Sequence, residues 1–444
     1  MQYPRRKKTL SSFQIILLGF AAVILIGALL LMLPISSKDR VVTPFSDAIF
    51  TSTSAVCVTG LIVQDTATYW SFFGQAVIIL LIQIGGLGVV TVAAAISLVA
   101  GKKIGLRQRN TLQDAMSAQS GGGLLKLTGF ILKGVFIIEA IGMLVMLPVF
   151  CKNHGPIGIW MAFFHSISAF CNAGFDLMGG ISGKFSSFTA YSADPVISTV
   201  LMLLILIGGI GFLTWEDICN HKWRIGRYRT QSKLVLVMTF ILVLLPATYF
   251  FFFEFEDYEL KERILISLFQ SVTPRTAGMN TVDIGAISEV GLLIMIFLMI
   301  IGGAPGSTAG GIKITTFSVL FASSISVFRN KNGTKIFRLR INDDLVKNAA
   351  TICFLYIALL LTGGAIISAV DGLPLITCLY EAASAVATVG ISAGITPMLS
   401  VTSRIVLISL MFLGRVGGLT LIYAAFGGTQ KPIARFPKDT ITVG

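Results

Sequence analysis

Four short segments of this chain could bind an ion, and they would do it with backbone rather than side chains. Thr53-Ser54-Ala55-Val56-Cys57-Val58-Thr59-Gly60 is echoed by Ile167-Ser168-Ala169-Phe170-Cys171-Asn172-Ala173-Gly174. Weaker copies are Gln270-Ser271-Val272-Thr273-Pro274-Arg275-Thr276-Ala277-Gly278 and Ala383-Ser384-Ala385-Val386-Ala387-Thr388-Val389-Gly390. Their closing glycines stand 114, 104 and 112 residues apart. Each segment is hydroxyl-rich and has no carboxylate in its last five positions. Backbone carbonyls gathered around one axis can replace the hydration shell of K+ without a fixed charge that would trap it. A closing glycine takes the backbone angles that turn the carbonyls the same way. The expected ligands are the carbonyls of Val58, Thr59 and Gly60, of Asn172, Ala173 and Gly174, of Thr276, Ala277 and Gly278, and of Thr388, Val389 and Gly390.

A second motif follows each of these in constant order. It reads Ile84-Gly85-Gly86-Leu87-Gly88, Ile207-Gly208-Gly209-Ile210-Gly211, Ile301-Gly302-Gly303-Ala304-Pro305-Gly306 and Leu413-Gly414-Arg415-Val416-Gly417-Gly418. Its first glycine lies 25, 34, 24 and 24 residues after the closing glycine of the loop. Such pairs mark either a bend or close helix packing. The third copy differs in kind. Gly302-Gly303-Ala304-Pro305-Gly306-Ser307-Thr308-Ala309-Gly310-Gly311 puts five glycines and a proline into ten residues. At about 1 kcal/mol per glycine and 3 kcal/mol for proline, this cannot stay helical. Broken backbone at membrane depth survives only beside a cavity, so the segment, with Lys313, reads as an intramembrane gate below the ion-binding loops. It misses the nucleotide-binding pattern G-x-x-x-x-G-K-[ST], because Ile312 precedes Lys313.

The elements that must hold these motifs are membrane helices. Of 444 residues, 55% are hydrophobic and 12% charged, with a mean hydropathy of +0.85, against about 25% charged in soluble domains. The apolar run 13–33 is long enough to span, so it reads as a helix and not as a cleaved leader. Residues 48–57, 157–170, 264–272 and 375–387 are apolar stretches too short to cross. Between them run 70–100, 127–150, 195–212, 234–253, 290–328, 349–370 and 403–426. The expected fold is all-α and integral to the membrane: four span, half-span, span units around one pseudo-fourfold pore, with eight full spans and four half-span pore helices. The units are 1–110, 111–225, 226–340 with the gating loop, and 341–444 with the C-terminus. Each half-span aims about half a negative charge from its C-terminal end into the pore, which favours a cation.

The net charge is +13, and its distribution argues against nucleic acid. Basic clusters lie at 5–8, 102–109, 222–233 and 329–340, with the acidic run 254–259 between two of them on the other side of one span. This is the positive-inside pattern and puts both termini in the cytoplasm of a multi-pass plasma-membrane protein. Six scattered cysteines read as packing residues, and the three histidines are too far apart for a metal motif. His165 is expected at a helix end, and Arg275 is expected to point away from the loops and be paired. Glu139 is expected either to hydrogen-bond within the bundle or to lie near a span end. Arg415, deep in an apolar span, costs at least about 2.5 kcal/mol unpaired. It is expected to bond carbonyls of the 302–311 loop and hold the gate closed.

With these residues in place, the chain resembles the Trk/Ktr/HKT superfamily of potassium transporters. The resemblance rests on the four repeated units, the stretches Val272-Thr273-Pro274-Arg275-Thr276-Ala277-Gly278 and 302–313, and Gly414-Arg415, and it covers essentially the whole chain. Length and architecture are most similar to the membrane subunit of the bacterial Ktr potassium-uptake system. The resemblance implies K+ uptake, often helped by Na+ as an activating or coupled ion. It also implies a homodimer with one pore per chain, and a cytosolic nucleotide-binding ring as regulator, so that nucleotide belongs to the partner and no cofactor to this chain. Some plant relatives carry Ser at the first filter glycine and pass Na+; here all four positions are Gly. The rival reading is an ion-coupled symporter working by alternating access, which usually places carboxylates at mid-membrane in inverted repeats. An intramembrane enzyme would need a cluster of His, Asp, Glu or a nucleophile, which this sequence lacks.

Overall fold

Several helices in this chain end at glycine, Gly88, Gly372 and Gly417 among them, and glycine breaks recur in the returning segments. The computed structural model describes residues 11–99, 111–112, 124–331, 333–337 and 339–417. Ser11 opens the described chain with a capping box: its hydroxyl accepts from the Gln14 amide while the Gln14 side chain accepts from its own. Helix α1 (Ser12–Met32) follows, then the short α2 (Phe45–Cys57), α3 (Phe72–Leu87) and α4 (Val89–Val99). Next come α5 (Leu124–His154), the short α6 (Ile157–Phe170), α7 (Pro195–Gly209) and α8 (Phe212–His221). The third group is α9 (Thr230–Tyr249), extended by a π turn to Glu254, the short α10 (Leu260–Val272), α11 (Glu289–Ile300) and α12 (Ile314–Phe328). A two-stranded antiparallel hairpin, β1 (Lys335–Ile336) and β2 (Leu339–Arg340), leads to α13 (Asp343–Asp371), the short α14 (Leu375–Val386) and α15 (Val401–Val416).

Among the described residues four helices, α1, α5, α9 and α13, are long and apolar enough to cross a membrane, with mean hydropathies from 2.2 to 3.0. The bent pair α7–α8 would make a fifth. In the returning segments the glycine motifs do bend the chain, one of the two alternatives read from the sequence. Gly88, Gly211 and Gly417 each adopt a φ between 84° and 88°, a left-handed value open to glycine at little cost, and each ends or interrupts its helix. As a result 195–212 does not end at the bend but turns by 97° into α8. Residues 290–328 form two helices, α11 and α12, separated by the irregular backbone expected at 302–311. The basic clusters at 5–8 and 102–109, and the end of the last span at 426, lie outside the described residues.

Packing follows one rule around the molecule. Each long helix lies on its own short helix: α1 on α2, α5 on α6, α9 on α10, α13 on α14. Each returning helix also packs on the next group's short helix: α3 on α6, α7 on α10, α11 on α14, and α15 back on α2. Side chains rivet two of these seams. Trp160 donates to Gln75 Oε1 at 2.8 Å, and Gln83 Nε2 donates to both oxygens of buried Glu139 at 3.1 and 3.3 Å, which places Glu139 inside the bundle and not at a span end. Asp47 meets Arg404 at 2.9 Å and also accepts from Gln64, while Arg404 donates to the Pro397 carbonyl. His165 is not at a helix end but inside α6, where its Nε2 accepts from the Leu177 amide at 2.9 Å. Cys57, Cys171 and Cys378 pack in the interior, whereas Cys219 is exposed on α8.

The Asp47–Arg404 pair joins residues 357 positions apart, so it should hold the first group to the last. Breaking a largely buried pair costs about 3 kcal/mol. Asp47→Asn and Arg404→Gln should each lower the thermal unfolding midpoint of the purified protein, and the double variant should fall little further. Additive losses would show that the two residues act separately.

Candidate functional site

The four glycine-ended segments form one aperture. Each short helix is followed by a residue in the left-handed region, Val58 (φ 57°), Asn172 (58°), Thr276 (69°) and Thr388 (53°). Two residues later the closing glycines have φ of 97°, 73°, 82° and 95°. Left-handed backbone is costly for β-branched Val and Thr, so something must hold it. The amides of Thr59, Ala173 and Val389 each donate to the carbonyl of Ser54, Ser168 and Ser384 at 2.8 Å. In the third segment Ala277 donates to Thr273 at 3.0 Å, one residue closer in sequence. The hydroxyls of the same residues clamp the far side of the loops. Ser54 and Ser384 accept from the amides of Gly60 (3.0 Å) and Gly390 (2.9 Å), while Ser168 and Thr273 donate to the carbonyls of Phe175 and Met279. The hydroxyl-rich character of the loops was visible in the sequence, but not that one hydroxyl per loop fixes its geometry.

The glycines face one another. A Cβ on Gly60 would stand 2.6 Å from the Ala173 carbonyl oxygen and 2.8 Å from Gly174 Cα. One on Gly174 would meet Gly278 Cα at 2.9 Å and the Ala277 oxygen at 3.1 Å, and one on Gly278 the Val389 oxygen at 2.5 Å. One on Gly390 would collide with the Thr59 oxygen. Carbonyls of all four middle residues therefore converge where the glycines meet, at the C-terminal ends of four short helices, each carrying roughly half a negative charge.

All four glycines also line a single cavity of about 640 Å³, together with Asp176, Asn280, Asp283 and Lys184. Burial pushes the Asp176 carboxyl up to about 6, with the nearby Asp65 carboxylate adding to the effect and hydrogen bonds from the Met178 amide and Ser187 opposing it. Beyond the fourth loop, buried Glu381 on α14 accepts from Ser392, from the Ala393 amide at 3.1 Å and from Thr396 at 3.0 Å. Sequence reading singled out Glu139 and passed over this buried carboxylate, although a lone Glu in the apolar stretch 375–387 was the available signal.

The 302–311 segment lies at the opposite end of the loops. Gly302 donates to the Ile312 carbonyl at 2.9 Å, closing the segment on itself. Ala304 and Thr308 amides donate to the carbonyls of Gly209 (2.9 Å) and Gly208 (3.3 Å), and Phe212 donates back to Gly306 at 2.8 Å. The Thr308 hydroxyl lies 3.1 Å from both the Phe170 carbonyl and Asn172 Oδ1. On the other side, Gly310 is pressed so closely on the Thr388 hydroxyl that a Cβ would overlap it. The segment thus spans from Asn172 to Thr388, against the first residues of the loops. Lys313 donates to the Ala309 carbonyl at 2.7 Å and Ser307 to Ala304 at 2.6 Å. Arg415 reaches in from α15 and donates to the carbonyls of Thr308, Gly85 and Gly86. Arg275 corrects its expectation in part. It points away from the aperture toward Thr239 of α9, at 3.4 Å. Its Nε and Nη1 find no hydrogen-bond partner among the described residues, so it is not paired with a carboxylate.

Four helix ends and four sets of carbonyls turned on one aperture define a membrane protein that deals with cations. Residues 3–428 match the TrkH family, described as cation transport proteins, and the chain belongs to that family. It is 36% identical to the potassium/sodium uptake protein NtpJ of Enterococcus hirae, over 99% of both chains. It is equally 36% identical to Ktr system potassium uptake protein B of Bacillus subtilis, over 97% of this chain and 96% of that one. In fold it is similar to the crystal structure of the potassium transporter TrkH from Vibrio parahaemolyticus, with a TM-score of 0.73 at 17% identity, covering 95% of this chain and 86% of that one.

Asp176 gives this cavity a charge that depends on pH. Because its carboxyl titrates near 6, the charge is present above that pH and lost below it. Lys184 and Asp283 line the same cavity and Asp65 lies beside it. The apparent affinity for the transported cation should therefore weaken about two- to fivefold as the pH on the side of this cavity falls from 7 to 5. Asp176→Asn should start weak and stay flat. An Asp176→Asn protein with undiminished pH dependence would assign the effect elsewhere.

Proposed function

We propose that this chain takes up K+ across the plasma membrane through a channel-like pore, whose selective part is the set of carbonyls of residues 58–60, 172–174, 276–278 and 388–390. One observation carries the reading: four separate loops, each pinned by its own short helix, bring their closing glycines and carbonyls to a single point. The relatives are named for potassium uptake, and glycine at all four closing positions fits K+ better than Na+. The E. hirae relative is named for both ions, which supports Na+ as an accessory ion. Alternating access around a carboxylate has less support, since Glu139 and Glu381 are both engaged in structural hydrogen bonds. The four units, eight spans, cytoplasmic termini, homodimer and cytosolic nucleotide-binding ring belong to the same proposal; of the three basic clusters that are candidate docking loops, 102–109, 222–233 and 329–340, the last is the one assigned here to the ring.

Gly60→Ser tests the filter. Its Cβ would press on the Ala173 carbonyl, so K+ affinity, or K+ over Na+ selection, should fall about tenfold, equivalent to 1.4 kcal/mol. The measurements are growth on limiting K+ and Na+ exclusion. Both unchanged would remove the loops from the ion path.

The gate is the second part of the reading. The 302–311 loop is held across the path by hydrogen bonds, with Arg415 as the latch. Arg415→Gln keeps some hydrogen bonding but removes the charge. It should raise Rb+ flux in proteoliposomes several-fold and weaken dependence on the regulatory partner. Wild-type flux with full regulation would reduce Arg415 to a structural staple.

A further inference from the structure

The loop between α8 and α9 is held firmly, yet it turns its apolar and basic side chains outward. α8 leaves α7 at 97°, and Trp215 fastens it there by donating to the Ile207 carbonyl at 2.9 Å. Asp217, buried to 3% exposure, gathers the far end of the loop. It accepts from the Arg229 amide at 2.9 Å and from the Ser232 hydroxyl at 2.7 Å. Arg229 also pairs with Glu216 at 2.7 Å, Tyr228 donates to the Lys222 carbonyl, and Lys233 donates to Gly226 at 2.7 Å. Within this clamp residues 222–227 are all exposed, Trp223 to 95% and Ile225 to 58%. The side chains of Lys222, Arg224 and Arg227 have neither ion pair nor hydrogen bond among the described residues. A tryptophan held in full view by this many tertiary bonds is placed to enter something, because an indole left in water forgoes a large burial gain.

We propose that this loop docks on the anionic lipid of the bilayer the chain crosses. Trp223 and Ile225 enter the boundary between headgroups and acyl chains, and Lys222, Arg224 and Arg227 bind lipid phosphates. Depth favours lipid over a soluble partner. The candidate span Thr230–Glu254 begins directly after the loop, so the loop sits where the chain enters the membrane, the level at which Trp and basic residues collect. Charge favours it too, since each Lys or Arg near an anionic surface gains about 1 kcal/mol. The proposal requires only that α9 crosses the bilayer and is independent of which cation moves.

The full-length protein in phosphatidylcholine vesicles, with or without phosphatidylglycerol, provides the test. Trp223→Phe isolates this indole from the other three of the chain's four tryptophans. The difference signal should be quenched by lipids with brominated acyl chains and shielded from aqueous iodide. Lys222→Gln, Arg224→Gln and Arg227→Gln together should reduce the preference for phosphatidylglycerol at least about tenfold, with thermal unfolding showing that the variant stays folded. A Trp223 that iodide reaches and brominated lipid does not would place the loop in water, as a surface for a soluble protein. An unchanged lipid preference in the triple variant would overturn the headgroup contact.

Discussion

The structure depends on one constraint: backbone that leaves the helix at membrane depth must still satisfy its donors. In each loop the donor of the middle residue is satisfied backwards, at the end of the loop's own short helix. Thr59, Ala173, Ala277 and Val389 give their N–H groups to Ser54, Ser168, Thr273 and Ser384. Once donors are used in this way, what remains to face the aperture is acceptor. A surface made of acceptors at four negative helix ends attracts cations without any ionised side chain. The absence of carboxylates from the loops therefore fits the chemistry, because a cation held only by dipoles can also leave.

The glycine motif of each returning helix serves the same arrangement twice. Its first glycine lets the helix press on the short helix behind the loop. A Cβ on Gly85, Gly208 or Gly414 would overlap the carbonyl of Val56, Phe170 or Val386, each four residues before a closing glycine. Its last glycine, at 88, 211 or 417, then turns the chain away. Packing and bending, alternatives when read from sequence, are thus separate duties of different glycines in one motif. The third copy breaks the pattern. There Gly302 is pressed on the carbonyl of Gly310, in its own loop. The 302–311 segment folds back across the space instead of passing on as helix.

Periodicity made much of this legible. The closing glycines, the short helices and the irregular 302–311 run were readable because each needs a residue type that physics restricts. α6 spans the 157–170 read from sequence, and α14 ends one residue short of the expected 387. What was hidden depends on distance in space. Nothing local links Asp47 to Arg404, and nothing in the composition of α3 marks Gly85 and Gly86 as acceptors for Arg415. The second returning segment reads from sequence as ending at 212, whereas the chain turns at Gly211 and continues as α8. Arg275 was expected to point away and be paired because it stands three residues before Gly278; it does point away, yet its side-chain partner among the described residues is the Thr239 hydroxyl.

The two kinds of irregular backbone differ in where their bonds go, and this separates what is fixed from what can move. The loops at 58–60, 172–174, 276–278 and 388–390 are pinned chiefly within their own segments, so a shift of one group against another leaves each loop's shape intact. The 302–311 segment is held across groups: to Gly208, Gly209 and Phe212, to Phe170 and Asn172, and through Thr308 to Arg415. Each such bond contributes a net of about 1 kcal/mol and can be exchanged for water. Arg415 concentrates the dependence, because the same guanidinium also holds the bend at Gly85 and Gly86. A displacement of α15 relative to α3 would therefore break bonds to the 302–311 segment first, because that segment's bonds run between groups while those of the loops run within them.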